Sequence, residues 1–137
     1  MTFVARPRVR LSRKVDAMVI CMPVTSGGEV DGSWGRAPRV AVANVEGETV
    51  DRWQEFDVGW DELHDTGTEG GHHARVARFV QEHGVQLVIG RHVGPDMLHM
   101  LERMGVSVQL GATGDARQAA VLSGSAAARR VGPSASG

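Results

Sequence analysis

The stretch that most constrains this chain is Val15 to Met22, Val-Asp-Ala-Met-Val-Ile-Cys-Met, closed by Pro23. A run this short and this uniformly apolar suits a strand buried on both faces, and such a strand needs helices above and below it. Pro23 marks its exit, because proline lacks the N–H that would continue the ladder.

The rest of the chain supplies the covering elements. Val40, Val42 and Val45 with small alanines between them predict a second strand. Glu46-Gly47-Glu48 is a tight connection to a third, Thr49 to about Val58. Val50, Trp53 and Phe56 break a strict period of two, so the third strand is expected to bulge or end early. Gly59 to Gly71 has many turn formers and no sustained period, and reads as a surface loop. His72-His73 then opens a segment in which Val76, Phe79, Val80 and His83 recur at helical spacing before Gly84. Val85 to Gly90 predicts a fourth strand. Pro95 starts a helix with Met97, Leu98, Leu101 and Met104 as its apolar stripe, and Val106 to Leu110 forms the last strand. Thr113 is the expected cap of an alanine-rich helix through Ala116, Ala119, Ala120 and Leu122.

That alternation predicts an α/β fold with a five-stranded mixed sheet. The economical strand order is 3-2-1-4-5, with strand 2 antiparallel and strands 1, 4 and 5 parallel. At 137 residues, 42% of them hydrophobic, the chain is long enough for one core. The expected organisation is a basic tail over 1–14, a single domain over 15–124 and a disordered tail over 125–137.

Charge and cysteine usage narrow the function classes. A formal net charge of -1 offers no general attraction to nucleic acid or to an anionic membrane, and neither is an expected partner. With Cys21 alone, no intrachain disulfide or Cys-x-x-Cys knuckle can form, and a cytoplasmic location is the simplest expectation. No apolar run reaches the ~20 residues of a membrane span.

Enzymatic motifs are missing. There is no Gly-x-Ser-x-Gly elbow, no Gly-x-x-x-x-Gly-Lys-Ser/Thr loop and no Gly-x-Gly-x-x-Gly after a strand. A two-metal nuclease needs carboxylates at strand ends, but Asp16 lies at the wrong end of strand 1 and Asp31 stands alone. Binding rather than catalysis is the expectation.

Open α/β sheets bind ligands beyond the carboxyl ends of their parallel strands. Three segments are expected there: Ser33-Trp34-Gly35-Arg36 after strand 1, His72-His73 at the helix start, and Arg91-His92-Val93-Gly94-Pro95 after strand 4. Imidazoles ligate zinc, iron, copper and nickel, so His72, His73 and His92 are the candidate metal ligands. Trp34, Gly35, Arg36, Arg91 and Gly94 are the candidate cofactor-binding residues. Trp34 serves either as a lid or as an aromatic plug, and the two arginines either meet an anion or form surface ion pairs. His64, Asp65 and Glu69 lie on the preceding loop. Cys21 and the methionines Met97, Met100 and Met104 read as core, His99 as surface or half-buried, and His83 as a helix C-terminal residue interacting with the dipole.

Val30-Asp-Gly-Ser-Trp-Gly-Arg-Ala-Pro38 before a valine-rich strand, Val88-Ile89-Gly90 with Gly94-Pro95, and Gly105-Val-Ser-Val-Gln-Leu-Gly111 together resemble the dinitrogenase iron-molybdenum cofactor biosynthesis family. The likeness runs from about Val15 to Gly124. It implies a ribonuclease-H-like three-layer α/β/α fold and a non-catalytic carrier or chaperone of an iron-sulfur or iron-molybdenum cluster. Its implied partners are metallocluster donor or acceptor proteins. The alternative is a protein-interaction or small-anion-binding module on the same fold. Family members often have His-Phe-Gly where this chain has Ser33-Trp34-Gly35, and many nitrogenase-linked relatives carry a cysteine where it reads Gly84-Val85-Gln86-Leu87. Ligation would then fall to His72, His73 and His92.

Overall fold

A computed structural model describes residues 17–63 and 69–124. The expected tails 1–14 and 125–137, together with His64 and Asp65, lie outside the described residues, as does the side chain of Glu69. The strands are β1 (Ala17–Pro23), β2 (Arg39–Glu46), β3 (Thr49–Asp57), β4 (Leu87–Gly90) and β5 (Ser107–Leu110). The helices are α1 (Trp60–Leu63), α2 (Glu69–Glu82), α3 (Pro95–Arg103) and α4, whose described part is 116–124; a single 3₁₀ turn spans Trp34–Arg36.

The five strands form one sheet in the order β3-β2-β1-β4-β5. β2 runs antiparallel to both β1 and β3, while β4 is parallel to β1 and to β5. Period-two alternation divides the side chains between two cores. Cys21, Val40, Val42 and Val88 face α1, α2 and α3 with Trp34, Trp60, Val76, Val80 and Leu101. Ile20, Met22, Ala41, Ala43, Leu87 and Ile89 face α4 with Ala116, Ala119 and Ala120. Alanine on both sides of that second interface lets helix and sheet approach closely. The result is a three-layer α/β/α fold.

β2 and β3 are joined by Gly47-Glu48, with Gly47 at φ 63°. Glycine at the first of two connecting residues is what a type II′ turn requires. The expected irregularity in β3 is a bulge: Asn44 pairs with Arg52 and Val45 with Val50, leaving Asp51 as the extra residue.

Three local expectations are corrected. Gly59 to Gly71 is not wholly a loop, because Trp60–Leu63 forms a helical turn that buries Trp60 to 2% exposure. One turn is too short to show a period in the sequence. α2 begins at Glu69, three residues before His72, so Gly70 and Gly71 lie inside its first turn. Burial of Val76 and Val80 further along supplies the stability that glycine propensity lacks. Thr113 does not cap α4; Asp115 does, its Oδ2 accepting the Gln118 N–H at 2.9 Å.

Candidate functional site

The link between β1 and β2 is fastened onto the carboxyl end of β4. Ser33 forms a parallel bridge with His92; the His92 N–H donates to the Gly32 carbonyl at 3.0 Å and the Trp34 N–H to the His92 carbonyl at 3.1 Å. The turn Trp34–Arg36 therefore lies beside the start of α3. Gly35 permits the contact, since a Cβ there would meet Met97 Cε at 3.0 Å.

Between these segments is a cleft of about 220 Å³. Ser33, Gly35 and Arg36 line it from the turn, His73 from α2, His92 from the segment after β4, and Gly94 to Met97 from the first turn of α3. Gly94 is the N-cap of α3 and provides no side-chain hydrogen bond; Pro95 follows in the first turn. The amides there keep the partial positive charge of a helix start, although Asp96 in the same turn opposes it. Two histidines, an arginine and a helix N-terminus border the cleft, an arrangement suited to a compact anion.

The sequence-predicted residues separate at this point. Gly35, Arg36, His73, His92 and Gly94 line the cleft, while Trp34, His72 and Arg91 do not. Trp34 is fully buried and packs edge to face against Trp60, which excludes the lid and is compatible with an aromatic plug closing the sheet edge. Arg91 is exposed and lies over Gly32, where a Cβ would sit 3.4 Å from its Nη2. His72 is 1% exposed and directed into the core. Adjacent helical residues point about 100° apart, so with the helix already under way one histidine faces inward and the next faces the cleft. Ser33 lines it as part of the expected segment after β1, while Asp96, which was not singled out, and Met97, which reads as core, also join the wall; Pro95 at the helix start was the available signal.

Cys21 is core, as its apolar strand indicated. Burial pushes its thiol from the ordinary 9.0 up to about 12, with the Trp34 indole pulling slightly the other way. That indole N–H makes no hydrogen bond of ordinary geometry, so the sulfur is at best a soft, poorly aligned acceptor. Among the described residues, no three of His, Cys, Asp or Glu are grouped closely enough to hold a metal ion. Also among them, no helix is long and apolar enough to cross a membrane.

The sequence profile of the dinitrogenase iron-molybdenum cofactor family matches residues 16–123. The chain belongs to that family. The dinitrogenase iron-molybdenum cofactor domain thus occupies nearly all of the described structure, and the cleft lies within it. No curated protein matches the chain in sequence. Among solved structures, the apo form of the orange protein from Desulfovibrio gigas has a TM-score of 0.61 at 23% identity, covering 79% of this chain and 89% of that one. The protein PH0822 has a TM-score of 0.60 at 21% identity, covering 77% and 90%. A candidate dinitrogenase from Methanocaldococcus jannaschii has a TM-score of 0.56 at 10% identity, covering 79% and 90%. At these identities the likeness establishes the shared fold, and membership of the iron-molybdenum cofactor family makes this a cofactor-related domain.

Proposed function

We propose that the protein is a non-catalytic carrier that takes an anionic iron-sulfur or iron-molybdenum cluster as its cargo and passes it between cluster donor and acceptor proteins. The observation that carries this reading is the convergence of His73 and His92, from two different elements, on one cleft shared with Arg36 and the N-terminus of α3. Two neutral imidazoles ligate exposed iron, and the guanidinium and helix amides balance the cluster's charge. Few and dispersed protein ligands suit cargo that must be released.

Anaerobic reconstitution with ferrous iron and sulfide, with and without molybdate, tests the assignment by metal content and visible absorption after desalting. Stoichiometric cluster on the wild type and its loss from the His73→Ala/His92→Ala double variant are expected. Equal retention by both proteins sinks the proposed ligands.

The sparse ligand set also supports a second reading, a small-anion-binding module using the same cleft. It predicts no retained cluster and instead tetrahedral oxyanion binding that weakens when Arg36 is changed.

A further inference from the structure

His72 has both ring nitrogens engaged. Its Nε2 lies 2.8 Å from the Gly35 carbonyl oxygen, and its Nδ1 lies 3.0 Å from Arg75 Nη1. Arginine only donates, so Nδ1 must be the acceptor and the ring is the neutral tautomer with its proton on Nε2. That proton is donated to Gly35. Trp60 holds the ring laterally, with centroids 6.4 Å apart and planes at 86°.

We propose that His72 is the positioning residue of the cleft rather than one of its ligands. Gly35 belongs to the cleft wall, and its peptide with Arg36 is planar, so fixing the carbonyl also fixes the direction of the Arg36 N–H. The next residue along α2 is His73, which faces the cleft. One buried imidazole therefore sets the spacing between the turn that carries Arg36 and the helix that carries His73. Arg75, three residues further on, selects the tautomer that makes this possible.

The inference rests on the carrier reading for its purpose but not for its test, which begins with the protein free of cluster. Long-range ¹H–¹⁵N NMR correlations are expected to show His72 with Nδ1 unprotonated and Nε2 protonated, and Arg75→Met should mix the tautomers. His72→Leu should speed amide exchange at Trp34 and Ala37 by about tenfold or more, as expected for loss of a buried hydrogen bond, while leaving Ile20 and Ile89 unchanged. His72→Gln, which retains a donor for Gly35 and an acceptor for Arg75, should recover most of that protection. After reconstitution with iron and sulfide, the leucine variant should release cluster about tenfold faster than wild type and the glutamine variant should not.

A protonated Nδ1 in the wild type, or unchanged exchange at Trp34 and Ala37 in the leucine variant, overturns the proposal. If the leucine variant does not fold, the wild-type and Arg75→Met spectra decide. A wild type that retains no cluster refutes the carrier reading while the NMR and exchange results still judge His72.

Discussion

Trp34 and Trp60 meet edge to face, with ring centroids 5.2 Å apart and planes inclined at 65°. The contact ties the turn that forms one wall of the cleft to the short helix α1. Trp60 continues to Phe79 of α2, and Phe79 to Phe56 of β3, each at 5.5 Å between centroids. Trp60→Ala should cost about 3–5 kcal/mol, the range for emptying a fully buried aromatic site. Trp60→Phe, which preserves an aromatic edge, should cost less. Urea unfolding of both variants checks this, and a loss below about 1 kcal/mol for the alanine variant would contradict it.

Cys21 should make stability fall at high pH. Its thiol is raised from 9.0 to about 12 in the folded protein, so between those values the unfolded state loses a proton that the native state retains. Stability from this group is complete below about pH 9 and falls with a slope approaching 1.4 kcal/mol per pH unit until about pH 12. Comparing chemical denaturation of wild type and Cys21→Ala between pH 8 and 11 isolates the effect, since the variant should lack that component of the slope. The native thiol should also resist alkylation at pH 8 until the chain is unfolded.

Gly124 sets two familiar effects against each other. Alanine gains about 1 kcal/mol of helix propensity over glycine. A Cβ at Gly124, however, would sit 3.1 Å from Ile20 Cδ1 and 3.2 Å from Val45 Cγ1. Both neighbours are branched and buried, and overpacking such a site costs about 1–3 kcal/mol. Gly124→Ala should therefore lower the thermal midpoint, whereas a rise would show that the second core can expand there.

Asp96 separates stability from binding. It is the acidic residue in the first turn of α3 and also part of the cleft wall. Asp96→Asn should weaken the helix start by a few tenths of a kcal/mol while strengthening retention of an anionic cluster about two- to fivefold at low salt. The gain should shrink as salt is added. Parallel thermal melts and cluster-release rates test the opposed signs.

The sheet was legible because apolar runs alternated with segments of helical period, and Pro23, Gly84, Pro95 and Gly105 punctuated them. The cleft was legible as a place, because the strand order brings Ser33, His92 and the start of α3 to one edge. The roles within it depended on helix phase. With α2 starting at Glu69 rather than His72, both histidines lie inside the helix, and its packed face buries His72 and presents His73. The cap of α4 had a usable signal: Asp115 stands three residues before Gln118, the spacing of a capping box, and outranks Thr113. Trp34 was ambiguous because an aromatic beside glycine suits a rim or a core equally; only its contact with Trp60, in a stretch without period, decides between them.

The bulge at Asp51 lies on β3, an outer strand of the sheet. Along it Asp51, Arg52, Glu55 and Asp57 are exposed, and Arg39 reaches across to Asp57 at 2.9 Å and to Glu55 at 3.4 Å. A nine-residue border would otherwise be a template on which another chain could add a strand. Local twist and alternating charge make that border a poor match for its own copy. The β3 border is thus guarded against edge-to-edge pairing of one copy of the chain with another.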